Sequence, residues 1–554
     1  MKFAVSIMLL AVVAGFAQTR NQTPTPVFKS RADLVVVPVI VRNKQGEHVP
    51  GLTVNDFSLE DNGVAEKVSS VEEITSDTTP PEPVVPTEGV FTNQFVNPQQ
   101  PKELVIIALD LVNTPAMDMQ AAREAVLKFL ATKIKQDQVV GLVTIDPGRV
   151  RLLHAFTSSA RVLSEALQRA TGVSAAPAAP DAVGAGRTLS SAQETQVGTT
   201  ASGLSAMIAE ARQTIQQAEA RTVTARRDQG MTSTLESLRI LSSWVAGIPG
   251  RKVLVWVTGS VPFINQSDTT SLRAGDYYRA MKALSDANVS VYPVDARGLF
   301  NLDFQAQSDV YMGSGPYIAA PVPGSIRSVP GPQDPVYGHF AMNEFAKATG
   351  GLALYNRNDI EKMLETAASD SARYYMLSYY LRKHTAGWHK LKVSVKRSGV
   401  TTRARSGFYV TKQEPEAEAV RQAEENTAVL SPFEYTALPL TLKWSSTMSA
   451  EGKRKVHFEV AIPPSAGLVD DTERNVLDLD FMTMATAASG EAAGLTSRNV
   501  HSDLKPAAVQ RIEGSGVTYV SNLELKPGEY AVRVVVRDNF TGRVGSVTAP
   551  LRVQ

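Results

Sequence analysis

The sequence predicts an α/β chain built on a doubly wound, mostly parallel sheet, with a small β unit before it and a β-sandwich after it. Three observations predict this class. Short apolar runs such as Leu104–Leu109 (LVIIAL) and Val253–Val257 (VLVWV) read as strands buried on both faces. They alternate with segments whose apolar residues recur at three-and-four spacing, the mark of covering helices. At 554 residues the chain is also too long for a single core.

The N-terminus carries Lys2, an uncharged apolar run from Ala4 to Phe16, and small residues Gly15 and Ala17 ahead of Gln18. Residues 1–17 are therefore expected to be a secretory signal peptide, the run being shorter than the ~20 residues of a spanning helix. Residues 30–75 form a small β domain in this reading. Asp33–Val41 (DLVVVPVIV) is a strand, Asp61-Asn62-Gly63 a hairpin turn, and Val64–Ile74 further strand. Residues 76–102, with Pro80, Pro81, Pro83, Pro86 and Pro98, read as a semi-extended linker.

The α/β domain is expected over 103–412, with insertions at 171–231 and 303–337. Helical spacing runs through Ala122, Val126, Phe129 and Leu130, and Val139–Ile145 is the next strand. Asp146-Pro147-Gly148 turns the chain so that Val150–Phe156 runs back, and residues 160–170 are helical. Leu204, Met207, Ile208, Ala211, Ile215 and Ala218 make one helical stripe within the first insertion. Helices are expected at Ser233–Ala246, Leu272–Ala287, Phe340–Thr349 and Asp359–Ala368, with strands at Val289–Val294 and Leu352–Tyr355. Tyr374–Leu381 and His389–Lys396 alternate with period two and read as a hairpin extending or capping this domain.

An acidic connector at 413–430 leads into an all-β pattern over 431–554, expected as an immunoglobulin- or fibronectin-like sandwich. Candidate strands are Thr436–Lys443, Lys455–Ile462, Val476–Met484, Val517–Leu525 and Tyr530–Val536. The approach Leu525-Lys526-Pro527-Gly528-Glu529-Tyr530 resembles a tyrosine corner.

Composition narrows the function. The formal net charge is +1 with no long basic block, which argues against nucleic acid as a partner. The absence of Cys removes disulfides, thiolate catalysis and Cys-bound metals. No His-Glu-x-x-His, Gly-x-Ser-x-Gly or Rossmann glycine pattern occurs. Gly247-Ile248-Pro249-Gly250-Arg251-Lys252 lacks the spacing and the Ser/Thr of a phosphate loop and precedes a strand rather than a helix. A non-enzyme is expected.

Six segments, in this order, carry a resemblance: VIVRNKQGEHVPGLTVNDFSLEDNG, VIIALDLVNTP, TLESLRILSSWVAGIPGRKVLVWVTG, LSDANVSVYPVDARGL, FAKATGGLALYNRNDI and YYMLSYYL…GFYV. From about residue 30 to 410 the chain resembles von Willebrand factor A-related domain proteins of the acidobacterial type. The resemblance implies a binding or assembly domain and a metal-ion-dependent adhesion site above the C-terminal ends of the parallel strands, where open α/β sheets bind ligands. The family's Asp-x-Ser-x-Ser motif falls on Asp110 and Thr114, with Val112 at the middle hydroxyl position. Its later Thr falls on Thr234, or equally Thr232, and its final Asp on Gly259.

The implied metal ligands are thus Asp110, Thr114 and Thr234, too few oxygens for a complete Mg²⁺ or Mn²⁺ shell without water. Asn113 could replace a lost hydroxyl. Asp146 and Asp295 end strands at the same edge, although Asp146 also reads as the first residue of its Asp-Pro-Gly turn. Two functions follow as expectations. One is an exported, non-catalytic module that captures an extracytoplasmic protein or surface polymer through this edge. The other is a structural scaffold, periplasmic or extracellular, whose edge is inert. A metal-assisted hydrolase using Asp110 and Asp146 is the third and weakest.

Overall fold

The computed structural model describes residues 34–75, 89–94, 103–134, 138–170, 228–248, 250–261, 274–299, 335–370, 372–382, 385–410, 417–450, 453–469 and 475–554. Several expectations lie outside them. These are the signal peptide, most of the linker, the stripe Leu204–Ala218 with most of its insertion, and residues 303–334 and 413–416.

The first body is antiparallel. Strands β1 (Leu34–Asn43), β2 (Phe57–Asp61), β3 (Val64–Glu66) and β4 (Val68–Ile74) combine with β11 (Tyr374–Tyr380), β12 (Gly387–Val395), β13 (Val400–Ala404) and β14 (Gly407–Val410). They form two four-stranded sheets, β13-β1-β11-β4 and β14-β12-β2-β3. Asn62 and Gly63, at φ 51° and 79°, make the tight turn between β2 and β3. Val37, Val39, Val41, Leu59, Leu377 and Tyr379 fill the core.

Among the described residues, the second body holds the one sheet with parallel pairs. Its strands are β6 (Glu103–Asp110), β7 (Gln138–Asp146), β8 (Arg149–Thr157), β9 (Lys252–Thr258) and β10 (Val289–Asp295). The order is β10-β9-β6-β7-β8, parallel except for the β7/β8 hairpin. Helices α1 (Ala116–Thr132), α2 (Ala160–Arg169) and α6 (Ile360–Ser369) bury Val126, Phe129, Leu163 and Leu364 on one face. Helix α3 (228–245), α4 (Ala274–Asp286) and α5 (Pro335–Thr349) bury Leu238, Leu284 and Phe345 on the other. Burial on both faces is why these strands are continuously apolar.

The third body follows helix α7 (Glu418–Leu430). Strands β15 (Thr441–Ala450), β16 (Lys453–Ile462) and β19 (Val517–Leu525) share a sheet with β5 (Val90–Thr92). Strands β17 (Val476–Ala487), β18 (Ala492–Asp503), β20 (Gly528–Asp538) and β21 (Val544–Val553) form the opposing sheet. Helix α8 (Pro506–Ser515) crosses between them in sequence. Tyr530 Oη donates to the Lys526 carbonyl at 2.9 Å, the upstream contact of a tyrosine corner.

This architecture corrects the predicted class. The chain is not a doubly wound, mostly parallel α/β protein: among the described residues four of the five sheets are wholly antiparallel and the fifth is mixed. Most strands lie outside 103–370 and meet neighbours through antiparallel pairing, which the apolar runs LVIIAL and VLVWV overshadow in the sequence. The expected hairpin of β11 with β12 does not form. Both edges of β11 are taken by β1 and β4, and β12 pairs with β2 and β14, so residues 374–410 join the N-terminal β unit. Part of the linker is also a strand, because Val90–Thr92 pairs with Thr441–Lys443. The strand expected at Leu352–Tyr355 reduces to one bridge, Val294 to Leu354.

Buried charge joins the bodies. Asp370 accepts from Arg42 (2.5 Å), Tyr292 Oη (2.9 Å) and Arg403, tying β1 and β13 to the mixed sheet. Glu424 on α7 pairs with Arg239 of α3 and with fully buried Arg537 of β20 (3.0 Å). Removing one partner from such a set strands a buried charge, so these contacts fix orientation more than they add net stability. Among the described residues no helix is long and apolar enough to cross a membrane.

Candidate binding edge

Strand β6 ends at Asp110, and residues 111–115 turn into α1. In the parallel register Ala108 lies beside Trp256, which places Asp110, Trp256 and Thr258 on one face of the sheet, beneath α3. Asp110 is fully buried. Its Oδ1 accepts from the backbone amides of Val112 and Asn113, both at 3.0 Å. Its Oδ2 accepts from Asn113 Nδ2 (2.7 Å), Trp256 Nε1 (3.0 Å) and Thr258 Oγ1 (2.8 Å). Burial pushes the carboxyl above the ordinary aspartate range, against the opposing pull of these hydrogen bonds.

Asn113 does not act as a substitute oxygen. Its amide nitrogen donates to Asp110 and, at 2.8 Å, to Thr234 Oγ1 on α3. The carboxylate dictates which end of the amide faces it. The point between Asp110 and Thr234, which a cation would need, therefore holds two N–H groups. Thr114 Oγ1 accepts from the Gly259 amide at 2.9 Å and so latches the two loops. Gly259 itself has no room to be an aspartate: a Cβ there would sit 2.9 Å from the Asn113 carbonyl and 3.2 Å from Thr114 Cα. Among the described residues no group of three or more His, Asp or Glu is placed to hold an ion. The donors around Asp110 do not fit Mg²⁺ or Mn²⁺, which need free oxygen lone pairs.

The other two edge carboxylates stay apart from this cluster. Asp146 pairs across the β7/β8 turn with Arg149, and its carboxylate lies 3.6 Å and 3.4 Å from Arg149 and Arg151. Ser233 Oγ closes the same turn, donating to the Asp146 carbonyl (3.3 Å) and accepting from the Gly148 amide (3.0 Å). Asp295 binds Arg297 through both oxygens at 2.9 Å and His339 at 2.8 Å. Burial works to raise its carboxyl, but the His339 and Arg297 hydrogen bonds hold it below the usual aspartate value. His339 stacks on Tyr355 at 4.2 Å. Asp118, in the first turn of α1, feels both Arg297 and Asp295.

Three large apolar side chains close in sequence to this charged group are exposed: Met117 (86%), Leu299 (61%) and Phe340 (49%). Met117 and Phe340 are adjacent in sequence to Asp118 and His339, and Leu299 lies two residues after Arg297. Sequence reasoning missed Trp256, Thr258, Arg297, His339 and Ser233. A signal existed for the first two. Trp256 and Thr258 alternate within VLVWVT, so both point to the face that Asp110 needs once the strands are adjacent.

No protein-family model matches the chain, and no curated protein does. Similar solved structures exist at low identity. One is an aerotolerance-related membrane protein from Bacteroides fragilis NCTC 9343 bearing multiple mutations to serines, at 13% identity and TM-score 0.24, covering 48% of this chain and 98% of that one. Another is the conserved hypothetical protein BatB from Bacteroides thetaiotaomicron, at 15% identity and TM-score 0.23, covering 49% and 98%. A pilus adhesin, SpaC from Lactobacillus rhamnosus GG, spans 88% of this chain and 57% of its own at 10% identity and TM-score 0.24. None of these supports the acidobacterial subtype, and scores this low assign neither a family nor an activity.

Proposed function

We propose that the chain is an exported, non-catalytic module that captures an extracytoplasmic protein or surface polymer without a metal ion. The observation that carries this reading is the saturation of Asp110 by donors, with Asn113 pinned between Asp110 and Thr234. A carboxylate so occupied neither ligates a cation nor accepts a substrate proton. Export rests on Lys2 and the apolar run Ala4–Phe16. Partner contact rests on Met117, Leu299 and Phe340, exposed large apolar side chains within two residues of Asp118, Arg297 and His339 in sequence.

Capture from a native extract tests the reading, with wild type compared with Met117→Ser/Phe340→Ser, each with and without chelator. The same specific partner should be retained in chelator and lost by the double variant. Loss of capture in chelator, or full capture by the double variant, overturns the proposal. A second reading, a structural scaffold, is favoured by the buried pairs of Asp370 and Glu424 that lock the three bodies together. It predicts that no variant of the edge changes any association.

A further inference from the structure

A cleft of about 340 Å³ opens where the mixed-sheet body, α7 and the C-terminal sandwich meet. Four cationic side chains, Arg239, Arg279, Lys282 and Arg543, line it against two carboxylates, Glu424 and Asp286. Glu424 is already committed, since it is shared between Arg239 and the buried Arg537. Asp286 pairs with Lys282 one helical turn away and is largely exposed, and Arg279 pairs with Asp276 in the same intrahelical manner. Such pairs within one helical turn are weak and readily exchanged, because their carboxylates stay in contact with solvent. Arg279 Nε is buried and has no acceptor among the described residues.

The opposite wall is preformed. Asp538 accepts from the Phe540 amide (3.2 Å) and Thr541 Oγ1 (2.6 Å), and Gly542 turns the chain at φ 70°. This turn presents Arg543, whose Nε donates to Thr541 Oγ1 (3.1 Å) and whose Nη2 makes long contacts of 3.4 Å to Asp538 and the Gly467 carbonyl.

We propose that this cleft binds an oxyanion group, a phosphate or a carboxylate of a small ligand, between Arg279 and Lys282 on α4 and Arg543 on the sandwich. Guanidinium and ammonium donors converging from two bodies suit a multivalent anion, which would exchange the surface carboxylates and clamp the bodies together. The site is independent of the edge.

The test uses the full chain and two probes, pyrophosphate and citrate, each compared with NaCl at matched ionic strength. At least one probe should raise Tm saturably beyond NaCl; pyrophosphate alone assigns a phosphate ligand and citrate alone a carboxylate. Arg279→Gln/Lys282→Gln should weaken binding about tenfold or more while melting near wild type in NaCl, since both side chains lie on a helix surface. Asp286→Asn, which frees Lys282, should tighten it. No shift beyond NaCl with either probe overturns the proposal, as does a shift that these variants leave unchanged.

Discussion

Asp110→Asn replaces one acceptor oxygen of a buried carboxylate by an N–H donor without changing its shape. With the new nitrogen at Oδ2 it faces Asn113 Nδ2, Trp256 Nε1 and Thr258 Oγ1; rotated, it faces the Val112 and Asn113 amides. Donor meets donor either way. Each hydrogen bond to a charged group is worth about 1.5–3 kcal/mol, and an unsatisfied buried group costs a further ~1–3 kcal/mol. Release from burying a charge offsets part of this, leaving a net loss of roughly 3–5 kcal/mol. At ~2–4 °C per kcal/mol that is a fall of about 10 °C for the body it stabilises. Differential scanning calorimetry resolves it, since three bodies need not melt together. Melting within a degree or two of wild type would refute the account of Asp110 as a donor-saturated carboxylate.

Other substitutions test neighbouring parts of the argument. Gly259→Asp should destabilise, by about 1–3 kcal/mol of overpacking against the Asn113 carbonyl and Thr114, and should not create Mg²⁺-dependent melting. A gain in Tm with Mg²⁺ would contradict this. Lys252 is buried with its Nζ on the Ala287 carbonyl, and burial lowers its pKa to about 7. The unfolded lysine keeps its proton to higher pH, so folded stability rises with pH from about 7 towards 10.5, and the penalty is full below 7. Lys252→Met should therefore stabilise at pH 6 by about 1–4 kcal/mol and much less at pH 10, checked by urea unfolding at both. Glu425, on α7, is raised to about 7 by burial and then by the adjacent Asp480. Its folded form keeps a proton that the unfolded chain has released, so that contribution is present below pH 4.5 and lost as pH rises through 7. Glu425→Gln should flatten this slope and gain about 1–3 kcal/mol at pH 8; an unchanged pH profile would exclude it.

Much of the mixed-sheet body was legible because its physics is local. Strands β6 and β9 are buried on both faces and cannot hide their apolar runs, and α1 shows its stripe at Ala122, Val126 and Phe129. The rest depends on pairing across long separations. Nothing near Tyr374–Tyr380 says that its partners are Leu34–Val39 and Val68–Ile74, some three hundred residues away. Val90–Thr92 looks like linker because one short strand borrows its partner, and Asn93 its buried hydrogen bonds, from residues 435–443. Strand β18 carries few large apolar residues and so left no strand pattern. At the edge, the residue types around Asp110 were visible, but not the direction of the Asn113 amide. Whether that side chain offers oxygen or N–H decides between a ligand and a latch, and the contact from Thr234 on α3 decides it.

The central claim is that Asn113, with Asp110 and Thr234, closes this edge without a cation. Isothermal titration of Mg²⁺ and Mn²⁺ into the full chain, with calorimetric melting in chelator and in millimolar metal, tests it most directly. Wild type should bind neither ion at this edge and melt identically in both conditions. Stoichiometric binding that raises Tm and disappears in Asp110→Asn or Thr234→Val would show the edge to be a working metal site and contradict the claim.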